Sequence, residues 1–106
     1  MLTADNTKRI QEIIDAIITV CEEHKDLLTD KKLIMFGSRA AGNSKERSDF
    51  DLGILSGKPV NPVSLYRLKV IFDELPTLYT IDLVDLNNVS ESFRNEALKN
   101  YTVLYG

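Results

Sequence analysis

Asp49 and Asp51 stand two apart at the head of an apolar run, Phe50-Asp51-Leu52-Gly53-Ile54-Leu55. Side chains two apart on a strand point to the same side of a sheet. Two carboxylates placed so repel each other unless a cation lies between them. A third carboxylate, Asp82, is set inside a second run, Tyr79-Thr80-Ile81-Asp82-Leu83-Val84. A charge inside such a strand is costly when buried without a partner. Convergence of Asp49, Asp51 and Asp82 on one site accounts for all three. Oxygen-only ligands suit Mg²⁺, which binds through one or two carboxylates plus substrate phosphates. Two such ions would serve phosphoryl or nucleotidyl transfer, one activating an attacking hydroxyl and the other clamping a triphosphate.

Upstream lies Phe36-Gly37-Ser38-Arg39-Ala40-Ala41-Gly42. Gly37 lets the chain leave a strand at an angle other residues resist, and lets a phosphate approach the backbone. Ser38 then opens a short helix, whose free N–H groups and hydroxyl make an anion site. Gly42 closes the turn. A Gly-Ser pair before a helix is weak evidence taken alone.

These residues need elements to hold them. Ile10, Ile13, Ile14, Ile17, Ile18 and Cys21 recur at helical spacing, which predicts a one-faced first helix. Leu33 to Phe36 reads as a strand buried on both faces, and Phe50 to Leu55 as a second strand. Asn61-Pro62 reads as an N-cap followed by proline at the first helical position. Leu65, Leu68, Phe72 and Leu75 continue that helix up to Pro76. Tyr79 to Val84 is the expected third strand. Ser90 should cap a last helix containing Phe93, Ala97 and Leu98. The apolar tail from Tyr101 to Tyr105 can add a short strand. The alternation implies an α/β (α+β) layer: a small mixed sheet flanked by helices, with Asp51 and Asp82 on neighbouring strands.

The 106 residues fit a single domain spanning 1–106, with no room for a separate substrate domain. Apolar residues at 43% and charged residues at 27% describe an ordinary soluble globular chain. A net charge of -3 argues against general nucleic-acid binding, which needs a basic face. One cysteine, Cys21, cannot close an internal disulfide, and no apolar stretch reaches membrane-spanning length. The expected location is cytoplasmic, without membrane contact.

The combined pattern, Gly-Ser-x-Ala-x-Gly, a polar gap, then Ser-Asp-x-Asp-Leu and a later Ile81-Asp82-Leu83-Val84, resembles the signature of the DNA polymerase β-like nucleotidyltransferase superfamily. The short length resembles its minimal nucleotidyltransferase branch. The resemblance implies that Gly37 and Ser38 cradle the β- and γ-phosphates. It implies that Asp49 and Asp51 bind both metal ions. Asp82 would bind the catalytic one and act as base toward the incoming hydroxyl. Arg39 would help hold the triphosphate, and Ser48 would orient the loop. Lys45 and Arg47 would reach phosphates, or form only a solvated loop. The implied reaction is transfer of AMP from ATP to a hydroxyl, with two Mg²⁺ ions and release of pyrophosphate. Members of this branch act as antitoxins of toxin-antitoxin pairs. Their partner is a helical HEPN ribonuclease, silenced by AMPylation of a tyrosine. Two other readings stand beside it: a nucleotide-binding module that neutralises a helical partner by binding alone, and a small-molecule transferase of the aminoglycoside type. A homo- or hetero-oligomer is compatible with all three.

Blander readings compete at several positions. Asp49 and Asp51 could mark a solvated edge strand, but Gly37-Ser38 upstream favours the metal reading. Asp85 competes with Asp82. Strand alternation puts Asp82 and Val84 on one face and Ile81, Leu83 and Asp85 on the other. Asp85 at the strand end reads as a solvated turn residue. His24 suits a helix C-terminus, and Cys21 continues the core stripe. Surplus apolar surface on the first helix or the tail would be a partner interface.

Overall fold

The computed structural model describes residues 4–42 and 49–106, and for residues 4–7 only the backbone. Helix α1 spans Ala4–Glu23. Its stripe buries Ile17, Val20 and Cys21, with Ile10, Ile13 and Ile14 packed against the same core. A short 3-10 helix, Lys25–Leu28, follows and buries Leu27 and Leu28. This element is not marked by any periodicity, because one turn is too short to show a period. Strand β1 is Lys32–Phe36, apolar and buried after its first residue. Helix α2 is a single turn, Ser38–Ala41, ended by Gly42 in the left-handed conformation. Strand β2 is Phe50–Leu55.

Helix α3 runs Pro62–Asp73. Asn61 caps it as expected: its Oδ1 accepts hydrogen bonds from the N–H groups of Val63 (2.8 Å) and Ser64 (3.4 Å). Strand β3 is Ile81–Asp85. Helix α4 is Glu91–Ala97, with Ser90 Oγ accepting from the Phe93 N–H at 3.1 Å. The tail forms strand β4, Tyr101–Tyr105.

The four strands lie in the order β3-β2-β1-β4. β1 is antiparallel to both β2 and β4, and β2 is parallel to β3. The sheet is therefore mixed, with α3 as the crossover between the parallel pair. Alternation along the strands divides the core. Leu33, Met35, Phe50, Leu52, Ile54, Ile81 and Leu83 meet α1 and α3 on one face. Ile34 and Phe36 meet Leu86 and Ala97, and so α4, on the other. Among the described residues this second cluster is the smaller one, and Asp51 and Asp82 have its parity. Among the described residues no helix is long and apolar enough to cross a membrane.

Two sequence expectations need correction. β3 begins at Ile81 and not at Tyr79. The Tyr79 N–H donates to Thr77 Oγ1 at 3.1 Å, a local bond that holds the chain in a turn before the strand starts. The second concerns Asp85. It occupies the last position of β3 and is 7% exposed, not a solvated turn residue. Its carboxylate accepts hydrogen bonds from the Val60 N–H (2.7 Å), the Asn87 N–H (3.0 Å) and Asn87 Nδ2 (2.7 Å). Asn87 in turn donates to the Ile54 carbonyl at 3.3 Å and accepts from the Ser56 N–H at 3.0 Å. The network ties the ends of β2 and β3 to the segment entering α3.

Removing a buried charged acceptor strands its donors, at a cost of about 1–3 kcal/mol for each unsatisfied group. Asp85→Ala should therefore lower unfolding free energy by roughly 2–4 kcal/mol in urea titrations, whereas Asp82→Ala, at an exposed position, should change it little.

Candidate active site

Asp51 and Asp82 are register partners across the parallel pair β2–β3. Phe36 is the partner of Asp51 on the other side, across β1. Pleating thus sets Phe36, Asp51 and Asp82 in a row on the lightly covered face. Asp49 precedes the first residue of β2 and is exposed, as is Asp82, while Asp51 is half-buried.

The charges of the row interact. The Asp51 carboxyl is raised above its ordinary value, first by burial, then by the negative charges of Asp82 and Asp49. A cation beside these groups would favour the charged form of Asp51 and offset both effects. The described side chains do not form a closed cage by themselves, for no group of three or more His, Cys, Asp or Glu is gathered tightly enough to hold an ion. Mg²⁺ does not ask for one, since it retains waters and completes its shell with phosphate oxygens. The donors available at Asp51, Asp82 and Asp49 are all hard oxygens. Residue chemistry and mutual repulsion therefore fit such an ion.

Gly37 abuts this row. It adopts φ 78°, ψ -156° at the start of α2, and a Cβ built there would collide with Asp51 Oδ2. The glycine lets the turn from β1 into α2 press against the carboxylate. The Gly37 carbonyl accepts the Ala41 N–H at 3.0 Å, which closes the single helical turn. Gly37 and Ser38 line an open cleft of about 440 Å³ with Phe36, Ala41, Phe93 and Lys99. Asp51 and Asp82 line a second one of about 570 Å³ with Phe36, Phe93, Lys69 and Asp73. Phe36 and Phe93 are common to both, and their rings meet edge to face at 6.1 Å between centroids. One recess thus leads toward the glycine-serine turn and the other toward the carboxylates, on either side of an aromatic pair.

Arg39 lines neither cleft. Its guanidinium lies 4.2 Å from the Phe50 ring centroid and 5.1 Å from that of Tyr79. Phe50 belongs to the core beneath α1 and α3, so this stack braces α2 from the opposite side of the sheet. Burial pulls the guanidinium below its ordinary value, against the opposing influence of Tyr79 and Asp49. Ser48, Lys45 and Arg47 lie outside the described residues. Cleft positions that sequence reasoning missed are Phe93, Lys69 and Lys99. Phe93 reads as core from its spacing, and neither lysine stands in a motif.

A mixed sheet with paired carboxylates against a glycine-serine turn defines a site suited to nucleotidyl transfer. Residues 15–106 match the family described as polymerase beta, nucleotidyltransferase, and the chain belongs to that family of enzymes. It is 38% identical over 80 residues to a probable protein adenylyltransferase MntA of Haemophilus influenzae, covering 76% of this chain and 70% of that one. It is 30% identical to the protein adenylyltransferase MntA of Aphanizomenon flos-aquae, over 91% of this chain and 73% of the relative. Among solved structures the fold matches a tri-AMPylated Shewanella oneidensis HEPN toxin in complex with its MNT antitoxin. There the TM-score is 0.65 at 20% identity, covering 91% of this chain and 71% of that one. A toxin-antitoxin structure with AMP-PNP matches with TM-score 0.65 and 22% identity, over 88% of this chain and 73% of that one.

Two outcomes follow from this geometry. Gly37→Ala must relieve both a positive φ and a collision with Asp51, so nucleotidyl transfer should fall by about a hundredfold in a labelling assay. The second concerns stability. Because Asp51 ionises at a higher pH in the fold than in the unfolded chain, the fold loses stability as pH rises through the raised value. Asp51→Asn should therefore melt a few degrees above the parent at pH 7 without Mg²⁺, the gain vanishing below the ordinary carboxylate value of about 3.9. Added Mg²⁺ should raise the melting temperature of the parent and not of the variant.

Proposed function

We propose that the chain is a Mg²⁺-dependent protein adenylyltransferase that moves AMP from ATP to a tyrosine hydroxyl of a helical HEPN ribonuclease, as the antitoxin of a toxin-antitoxin pair in the cytoplasm. The observation that carries this reading is the register pairing of Asp51 with Asp82, with Gly37 pressed against Asp51. The relatives named as protein adenylyltransferases, and the structural neighbour holding an AMPylated toxin, support the class of acceptor.

In this reading Gly37 and Ser38 receive the terminal phosphates through backbone N–H groups and the serine hydroxyl. Asp49, Asp51 and Asp82 would hold Mg²⁺, which when bound neutralises the triphosphate and acidifies the attacking hydroxyl. Asp82, exposed at the edge strand β3, is open to an acceptor arriving from outside the sheet. It takes the hydroxyl proton as the oxygen bonds to the α-phosphorus. The bond between that phosphorus and the bridging oxygen breaks, and pyrophosphate leaves. Asp51, shielded and raised by its neighbours, gains most from the cation.

The test is incubation with radiolabelled ATP and Mg²⁺, with and without the helical protein encoded beside it. Label should appear on the neighbour, at a tyrosine by peptide mass, and be lost in Asp49→Ala/Asp51→Ala. Neutralisation of the neighbour by that double variant, with no label transferred, would establish a binding module in its place.

A further inference from the structure

Six large apolar side chains are exposed on the described surface: Val63, Tyr66, Leu78, Phe93, Tyr101 and Val103. Of these, Phe93 alone lines the clefts at the catalytic face, and it lines both of them. An apolar ring that is 44% exposed beside acidic and phosphate-binding groups forgoes burial it could have had elsewhere. The ring is also held in place. Its residue sits in the first turn of α4, where its N–H is bound to the Ser90 cap, and Phe36 meets it at an interplanar angle of 85°. Phe36 is in turn buried in the sheet and paired in register with Asp51. The ring is thus positioned, through one contact, by the strand that neighbours the carboxylate.

We infer that Phe93 is the platform on which the nucleobase of the triphosphate stacks. This rests on the nucleotidyl-transfer reading above. A triphosphate with its terminal phosphates at Gly37-Ser38 and its α-phosphate at the carboxylates spans the two recesses that Phe93 separates. Its nucleoside then continues from the α-phosphate within the carboxylate recess, where Phe93 is the exposed aromatic ring among the lining residues. The aromatic face accepts any base, because every base has a π-face, and purines stack with the larger area. Selection on this platform is by ring size and not by hydrogen bonding, so ATP and GTP should bind alike and both better than UTP.

The test uses calorimetric titration of the intact chain with Mg²⁺ and the β,γ-imido analogues of ATP, GTP and UTP. Inorganic tripolyphosphate is the probe that lacks a base. Phe93→Leu keeps apolar bulk against Phe36 and removes the ring face. It should weaken the purine analogues roughly 5- to 150-fold and leave tripolyphosphate within about twofold. Phe93→Trp should restore or exceed the parent affinity. Unchanged analogue binding by Phe93→Leu would overturn the platform. So would an equal loss for tripolyphosphate, which would mark a distorted site. A variant that keeps nucleotide affinity but needs more of the protein acceptor would assign the ring to the acceptor and overturn it as well. A parent chain that binds neither analogue nor tripolyphosphate would overturn the transferase reading itself, and the platform with it.

Discussion

Mutual repulsion of carboxylates on one sheet face is the constraint around which the molecule is arranged. Parallel pairing of β2 with β3 sets Asp51 beside Asp82, and the chain adds Asp49 just ahead of the strand. A large core covers the opposite face, but among the described residues the acidic face carries a small cluster with α4 and the single turn of α2 beside it. That asymmetry follows from the charge. A second full helical layer would bury the acidic row, and desolvation would drive its carboxyls toward the neutral form. Leaving the row half-covered keeps Asp51 raised yet open to a cation and to phosphate oxygens.

Much of this was legible because it depends on short-range rules. The period of two along Phe50–Leu55 sorted Asp51 from Phe50 and Leu52, and the same rule separated Asp82 from Asp85. The Asn61 and Ser90 caps, the left-handed Gly42 and the isoleucine stripe are local chemistry, read within a turn or two. Their outcome depends little on the rest of the chain.

What escaped depends on distant partners. A hydrophilic residue at a strand end normally meets water, and nothing near Asp85 announces that the Val60 N–H, 25 residues upstream, will converge on it. Arg39 stands inside the motif, so its position suggested phosphate. Its stack on Phe50 and Tyr79 depends on rings that stand 11 and 40 residues further along the chain. Phe93 matches helical core spacing, and its exposure became visible only with α4 seated against Phe36. The Lys25–Leu28 turn was missed for want of length, though its two leucines close the core below α1.

The buried Asp85 network has a consequence for the opposite end of the same strand. Strand pairing tolerates slippage in steps, and a shift of one residue in β3 would swing Asp82 to the far face and bring an apolar neighbour beside Asp51. Asp85 and Asn87 act as a latch against that slip. Their bonds to Val60, Ile54 and Ser56 can be made in one alignment only. Alignment of the acidic pair is therefore stored several residues away, in groups that never touch a substrate. Natural variation at Asn87 or Ser56 would be felt as mistimed chemistry in a chain that still folds.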